Sequence, residues 1–147
     1  YADLNGWRVN GGTVPHEMAL TEQKPDLVII DKSVMPVKIL LVELTVPWDT
    51  SANMAAALTR KTERYKELAI TIIGNGFKCL NLPLEIGTRG VVTMRNRAVL
   101  TQLCHGVKVN KVSSVIKNCS KLALLGSYTI WNARYSQDWS GGGFLKP

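Results

Sequence analysis

Asp26-Leu27-Val28-Ile29-Ile30-Asp31, then Val37-Lys38-Ile39-Leu40-Leu41-Val42-Glu43-Leu44-Thr45-Val46, is the stretch that decides the fold. Both runs are rich in β-branched and aliphatic residues, which favour strands. The second is almost continuously apolar, the pattern of a strand covered on both faces and so central in a sheet. Ser33-Val34-Met35-Pro36 between them reads as the turn of a hairpin. With a loop at 33–36, Lys32 faces Val37, and the pairing steps back until Asp26 stands opposite Glu43. Opposed residues share a face, with side chains about 5 Å apart. A slip of one residue sends the two acids to opposite faces.

Outward from this hairpin, Pro47 ends the second strand, and Asp49, Thr50 or Ser51 can cap a helix over 51–73. Gly74 and Gly76 stop that helix. Residues 77–86 alternate with period two and predict a third strand, in which Pro83 marks an edge or a bulge. Gly87 and Gly90 bracket a loop, and two more helices are predicted over 95–105 and 113–135. Upstream, Asn5-Gly6 and Gly11-Gly12 flank Trp7 and Val9, so residues 1–15 predict an irregular lead-in with a short strand or hairpin. Gly141-Gly142-Gly143 predicts a flexible tail over 141–147. The expected architecture is a single α/β domain over 1–147, a small mixed β-sheet flanked by helices.

A chain of 147 residues, 46% hydrophobic and 20% charged, excludes a disordered or collagen-like protein. No apolar run approaches the roughly 18 residues of a membrane helix, so no membrane partner is expected. Tyr1-Ala2-Asp3-Leu4 resembles neither a signal nor a transit peptide, and the chain reads as a piece that begins inside a larger protein. Eighteen Lys and Arg against 11 Asp and Glu give a net charge of +7. Such a balance favours polyanionic partners, nucleic acid before anionic membrane. The basic residues are scattered, as on a folded basic surface. Cys79, Cys104 and Cys119 are odd in number and lack C-x-x-C spacing, which predicts buried reduced thiols rather than a disulfide framework or zinc finger.

Two acids facing each other across apolar strands repel, and burial adds a desolvation cost. They need a counter-ion, a shared proton, a hydrated end of the sheet or a bound cation such as Mg²⁺, which suits hard oxygen ligands. Glu43 interrupts an apolar strand, so it either acts or forms a buried salt bridge to an arginine. Asp26 alone could simply start a strand. On the following helix, Met54, Leu58, Lys61, Tyr65, Leu68 and Ile72 fall within about 40° of one line, an apolar stripe with a single charge. Lys61 either snorkels from the stripe's edge or points at the acid pair. Two carboxylates and a cation are the constellation of a phosphodiester-cleaving site. Tyr65, one turn on, either touches a phosphate or packs.

Pro25-Asp26, Glu43-Leu44-Thr45 and Lys61 together resemble the PD-(D/E)xK superfamily of restriction-like nucleases. A more specific likeness lies in Lys24-Pro25-Asp26-Leu27-Val28-Ile29, Glu43-Leu44-Thr45-Val46-Pro47-Trp48, Arg60-Lys61-Thr62-Glu63-Arg64-Tyr65, Glu85-Ile86-Gly87-Thr88-Arg89-Gly90 and the segment Leu122 to Arg134. These resemble the restriction-like endonuclease domain C-terminal to reverse transcriptase in some non-LTR retrotransposon polyproteins, over about 2–139. The resemblance implies a restriction-endonuclease-like core and a Mg²⁺- or Mn²⁺-dependent endonuclease. Such an enzyme nicks target DNA in the nucleus after synthesis in the cytoplasm, and the freed 3′-hydroxyl primes reverse transcription. It implies Asp26 and Glu43 as metal ligands and catalytic acids, with Lys61 and Tyr65 catalytic. Arg60, Arg64 and Arg89 would bind DNA, and element RNA would be met through the parent polyprotein. The chain departs from the general motif at Thr45, where the E-x-K lysine would stand, and that function passes to Lys61. Arg64 stands where lysine is also common, and a guanidinium is too basic to exchange a proton. A catalytically inactive nucleic-acid-binding module with the same fold, and a structural domain of a polyprotein, are the competing expectations.

Overall fold

A computed structural model describes residues 2–4, 7–106 and 109–135. The expected tail over 141–147 lies outside them. Strands β1 (Ala2–Leu4), β2 (Trp7–Asn10), β3 (Leu27–Asp31), β4 (Lys38–Thr45) and β5 (Lys78–Glu85) form one sheet in the order β1-β2-β3-β4-β5. Neighbours from β1 to β4 are antiparallel, and β5 runs parallel to β4. Helices α1 (Ser51–Arg64) and α2 (Lys66–Gly74) make the crossover from β4 to β5, and α3 (Met94–Gly106) and α4 (Val112–Ala133) follow. The protein is therefore an α/β domain with a mixed sheet, as its sequence predicts. The lead-in is a hairpin that extends the sheet beyond β3.

The β3–β4 hairpin has the expected register, from Asp31 opposite Lys38 to Leu27 opposite Val42. Its turn is held by Asp31, whose Oδ1 accepts the Ser33 N–H at 3.0 Å. The alternation of β3 and β4 divides the core in two. Val28, Ile30, Ile39 and Leu41 pack against Tyr65, Leu68 and Ile72 from the α1–α2 side. Ile29, Leu40 and Val42 face the other way, with Leu84 of β5, Leu100 of α3 and Ile116 of α4. Covering on both faces is why Ile39-Leu40-Leu41-Val42 reads as an unbroken apolar run. β5 is an edge strand, which is where Pro83 is tolerated.

One expectation fails. The helix over 51–73 is broken at Tyr65, whose φ of −111° and ψ of 16° are not helical. The Tyr65 ring is buried in the core, and its hydroxyl donates to the Lys24 carbonyl at 3.0 Å. That anchor belongs to the tertiary structure, and neither glycine nor proline announces it. Thr50 caps α1, accepting the Asn53 N–H at 3.2 Å. The predicted stripe faces the sheet through Tyr65, Leu68 and Ile72, while Met54 and Leu58 are only half-buried and Ala57 is the buried residue of α1.

Candidate active site

The pleat of β4 puts Glu43 on the same face as Ile39 and Leu41, toward α1 and α2. Its side chain is 3% exposed. One step beyond the Leu27–Val42 pair, Asp26 reaches it. The Asp26 backbone N–H donates to Glu43 Oε2 at 3.3 Å, and Asp26 Oδ2 accepts the Leu44 N–H at 2.6 Å. Asp26 itself is exposed. The expected pair of carboxylates enclosed by apolar strands is thus a buried acid beside a hydrated one. Asp26 lies just before the first residue of β3, where the sheet ends in water.

Two of the three cations of α1, Lys61 and Arg64, converge on Glu43. Lys61 Nζ lies 2.5 Å from Glu43 Oε1, and Arg64 Nη1 lies 3.2 Å from the same oxygen. The Lys61 side chain is 13% exposed and that of Arg64 57%. Lys61 therefore spans inward along the stripe to the acid rather than snorkelling away. The arginine salt bridge, the other expectation for Glu43, is present as well. Ionised partners make these the stronger class of hydrogen bond. The Arg64 guanidinium also lies 5.4 Å from the centroid of the Tyr65 ring. Burial first, and then the negative charge of Glu43 and a hydrogen bond to it, push the Tyr65 phenol up to about 12, with Arg64 opposing. At neutral pH that phenol keeps its proton.

The three arginines expected to contact DNA are dispersed. Arg60 is exposed on α1, immediately before Lys61. Arg64 sits on Glu43. Arg89 lies in the loop after β5, where its Nε and its backbone N–H each donate to Asp49 Oδ2 at 2.8 Å. Asp49 is 1% exposed and seats against Gly87, where an added Cβ would fall 1.4 Å from Oδ1. Only glycine leaves room for that carboxylate.

Glu85 is a further buried carboxylate that reading for motif chemistry missed. It pairs in register with Thr45, as Pro83 does with Glu43, so β5 places it on the Glu43 face. Arg95 Nη1 at 3.1 Å and Asn96 Nδ2 at 3.0 Å both contact Glu85 Oε2. Asn96 is fully buried. The alternation of residues 77–86, carried one step to its end, signals an acid on that face.

Among the described residues, no three His, Cys, Asp or Glu side chains gather as a metal-binding cluster. Asp26 and Glu43 are two acids joined through backbone N–H groups. Among the same residues, no helix is long and apolar enough to cross a membrane. No protein-family model matches the chain, and no curated protein matches it.

Proposed function

We propose that this domain is a metal-dependent DNA endonuclease with a restriction-endonuclease-like core. In a longer retroelement polyprotein, its nick would prime reverse transcription in the nucleus. The observation that carries the proposal is the convergence of Asp26, Lys61 and Arg64 on Glu43, a buried acid inside an otherwise apolar strand. The mixed sheet between two helical layers is compatible with that core.

The donor set fits Mg²⁺ or Mn²⁺. These ions take oxygen ligands, and Mg²⁺ commonly uses one or two carboxylates, several waters and substrate phosphate oxygens. Asp26 and Glu43 supply the carboxylates, and the exposure of Asp26 leaves a hydrated side for phosphate to approach. Asp26 and Glu43 would hold such an ion, which when bound would supply Lewis acidity to water and to the scissile phosphate. Lys61 orients the attacking water and offsets charge gathering on the phosphate oxygens. Water adds to phosphorus, the bond from phosphorus to the 3′-oxygen breaks, and that oxygen takes up a proton to become the primer hydroxyl. Arg64 binds charge without exchanging a proton. Tyr65, buried and donating its hydroxyl to the Lys24 carbonyl, packs behind Glu43 and is a positioning residue rather than a phosphate contact. The +7 charge holds the DNA backbone with little base specificity.

The second reading is an inactive nucleic-acid-binding module, and one observation favours it. Glu43 Oε1 already receives both Lys61 and Arg64, so the ion pairs are closed without a metal. Conversion of supercoiled plasmid to nicked circles in Mg²⁺, with Asp26→Asn beside the parent, separates the two. The endonuclease nicks and Asp26→Asn does not. Equal and background conversion by both leaves the binding module.

A further inference from the structure

Away from Glu43, a cavity of about 360 Å³ opens between the loop after β4, the loop after β5 and the last turns of α4. Its walls are apolar and wet: Trp48 is 58% exposed, Trp131 49%, and Val46 and Ile130 half or more. Two indoles left in water on one groove mark a surface built to be covered. The polar groups are as informative. Thr88 lines the groove, and its Oγ1 is buried with no hydrogen-bond partner among the described residues. A buried hydroxyl without a partner carries a desolvation cost that a ligand donor or acceptor would relieve.

One cation lines the groove. The Arg134 guanidinium stacks 3.0 Å from the Trp131 ring centroid and 4.6 Å from that of Tyr135, and it also contacts the Tyr135 hydroxyl. It is fixed in place before any ligand arrives. Arg89, next to Thr88 in sequence, is fixed by Asp49, next to Trp48. The groove therefore combines flat apolar walls, an unused hydroxyl on its lining and the guanidinium of Arg134. A greasy peptide would satisfy the walls and strand the rest. A base swung out of a nucleic-acid strand satisfies all three. Its ring stacks on an indole, its edge meets Thr88, and its phosphate meets Arg134.

We infer that this groove, lined by Trp48, Trp131 and Thr88 and rimmed by Arg134, is a binding site for an unstacked base of single-stranded nucleic acid. The inference rests on the nucleic-acid reading above but not on cleavage, so its test is run in EDTA. The probes are a labelled single strand of about ten nucleotides, the matching blunt duplex, and the same single strand carrying 2-aminopurine. Trp48→Ala should weaken single-strand binding roughly 5- to 100-fold, the range for loss of one base–aromatic stack. Duplex binding should be unchanged. The parent protein should quench 2-aminopurine and Trp48→Ala should not, while Trp48→Phe restores most of the affinity. Should Trp48→Ala fail to fold, Trp48→Leu keeps the apolar bulk without a stacking ring, and Thr88→Val removes the hydroxyl alone. Single-strand affinity equal to the parent's in folded Trp48→Leu and Thr88→Val overturns the inference and assigns the groove to an apolar protein partner. Loss of equal size for duplex and single strand overturns it too. Plasmid that is never nicked, with the Trp48 effect intact, removes the nuclease reading and leaves this site standing.

Discussion

Asp26 and Glu43 are latched to each other through the ends of their strands. The Asp26 N–H donates to Glu43 Oε2, and the Asp26 carboxylate accepts the N–H of the residue after Glu43. Each acid is thus fixed by the other's strand. The latch keeps like charges together without enclosing both, because only Glu43 is buried. Asp26 is the hydrated side of the pair, and the buried Glu43 is the side on which Lys61 is held.

Removing the charge and removing the side chain should separate chemistry from folding at Glu43. Glu43→Ala leaves the largely buried Lys61 without its partner and should lower unfolding free energy by about 3–5 kcal/mol. Glu43→Gln retains an oxygen facing Lys61 and should cost clearly less in urea unfolding. Both should lose nicking by a factor on the order of 10² or more. A Glu43→Gln protein that nicks at the parent rate removes Glu43 from the chemistry.

Lys61 and Arg64 share one carboxylate oxygen, and their substitutions should not be equivalent. Lys61→Ala should reduce nicking on the order of 10²-fold or more, as for loss of one preorganised charge-stabilising group, with little change in duplex affinity. Arg64→Ala, which removes an outlying and more exposed cation, should weaken binding more than turnover. Lys66→Ala is the control, since Lys66 is exposed and pairs with Glu63 at 3.4 Å. If Lys61→Ala nicks as fast as Lys66→Ala, the lysine is a packing residue.

The hairpin register was legible because a short turn and two apolar runs fix it, and it alone brings Asp26 to Glu43. Helical periodicity marked Lys61 as the one charge in an apolar stripe but left open whether it snorkels or reaches the acids, and the ion pair with Glu43 decides it. The helix break at Tyr65 was not, because a hydrogen bond to Lys24, from a distant segment, sets that backbone. The Glu85–Asn96 contact was hidden for the same reason: its partners lie on different elements, and neither residue type is diagnostic alone. Arg89 was expected to bind DNA, and the buried Asp49 that holds it is visible only once Gly87 has brought the loops together.

Tyr65 gives the site a signature at high pH. Its phenol is raised from 10.0 to about 12 by burial and by Glu43. The folded protein then holds the proton more tightly than the unfolded chain does. The stability this supplies is complete below pH 10 and is lost as pH rises from about 10 to about 12. Urea midpoints should therefore fall across that window, and Tyr65→Phe should flatten the Tyr65 part of the fall. Absorbance at the phenolate band should show one tyrosine titrating later than the others in the parent and absent from the variant. Four tyrosines that titrate together near 10 would place Tyr65 outside the influence of Glu43.

Arg60 and Arg89 provide the last contrast, between a cation available to DNA and one already engaged. Backbone binding displaces counterions, so the logarithm of affinity falls with the logarithm of salt by about 0.9 per phosphate neutralised. Arg60 is exposed on α1 beside Lys61, and Arg60→Ala should shallow that slope by about one contact while leaving the melting temperature unchanged. Arg89→Ala strips the cation from Asp49, a carboxylate that is 1% exposed. An uncompensated buried charge is the costly outcome of breaking such a pair, so Arg89→Ala should melt well below the parent. The double change Arg89→Ala with Asp49→Asn should recover part of that loss, because it removes the stranded charge. If Arg89→Ala melts like the parent and changes only the salt slope, Arg89 serves DNA alone and the contact with Asp49 carries no stability.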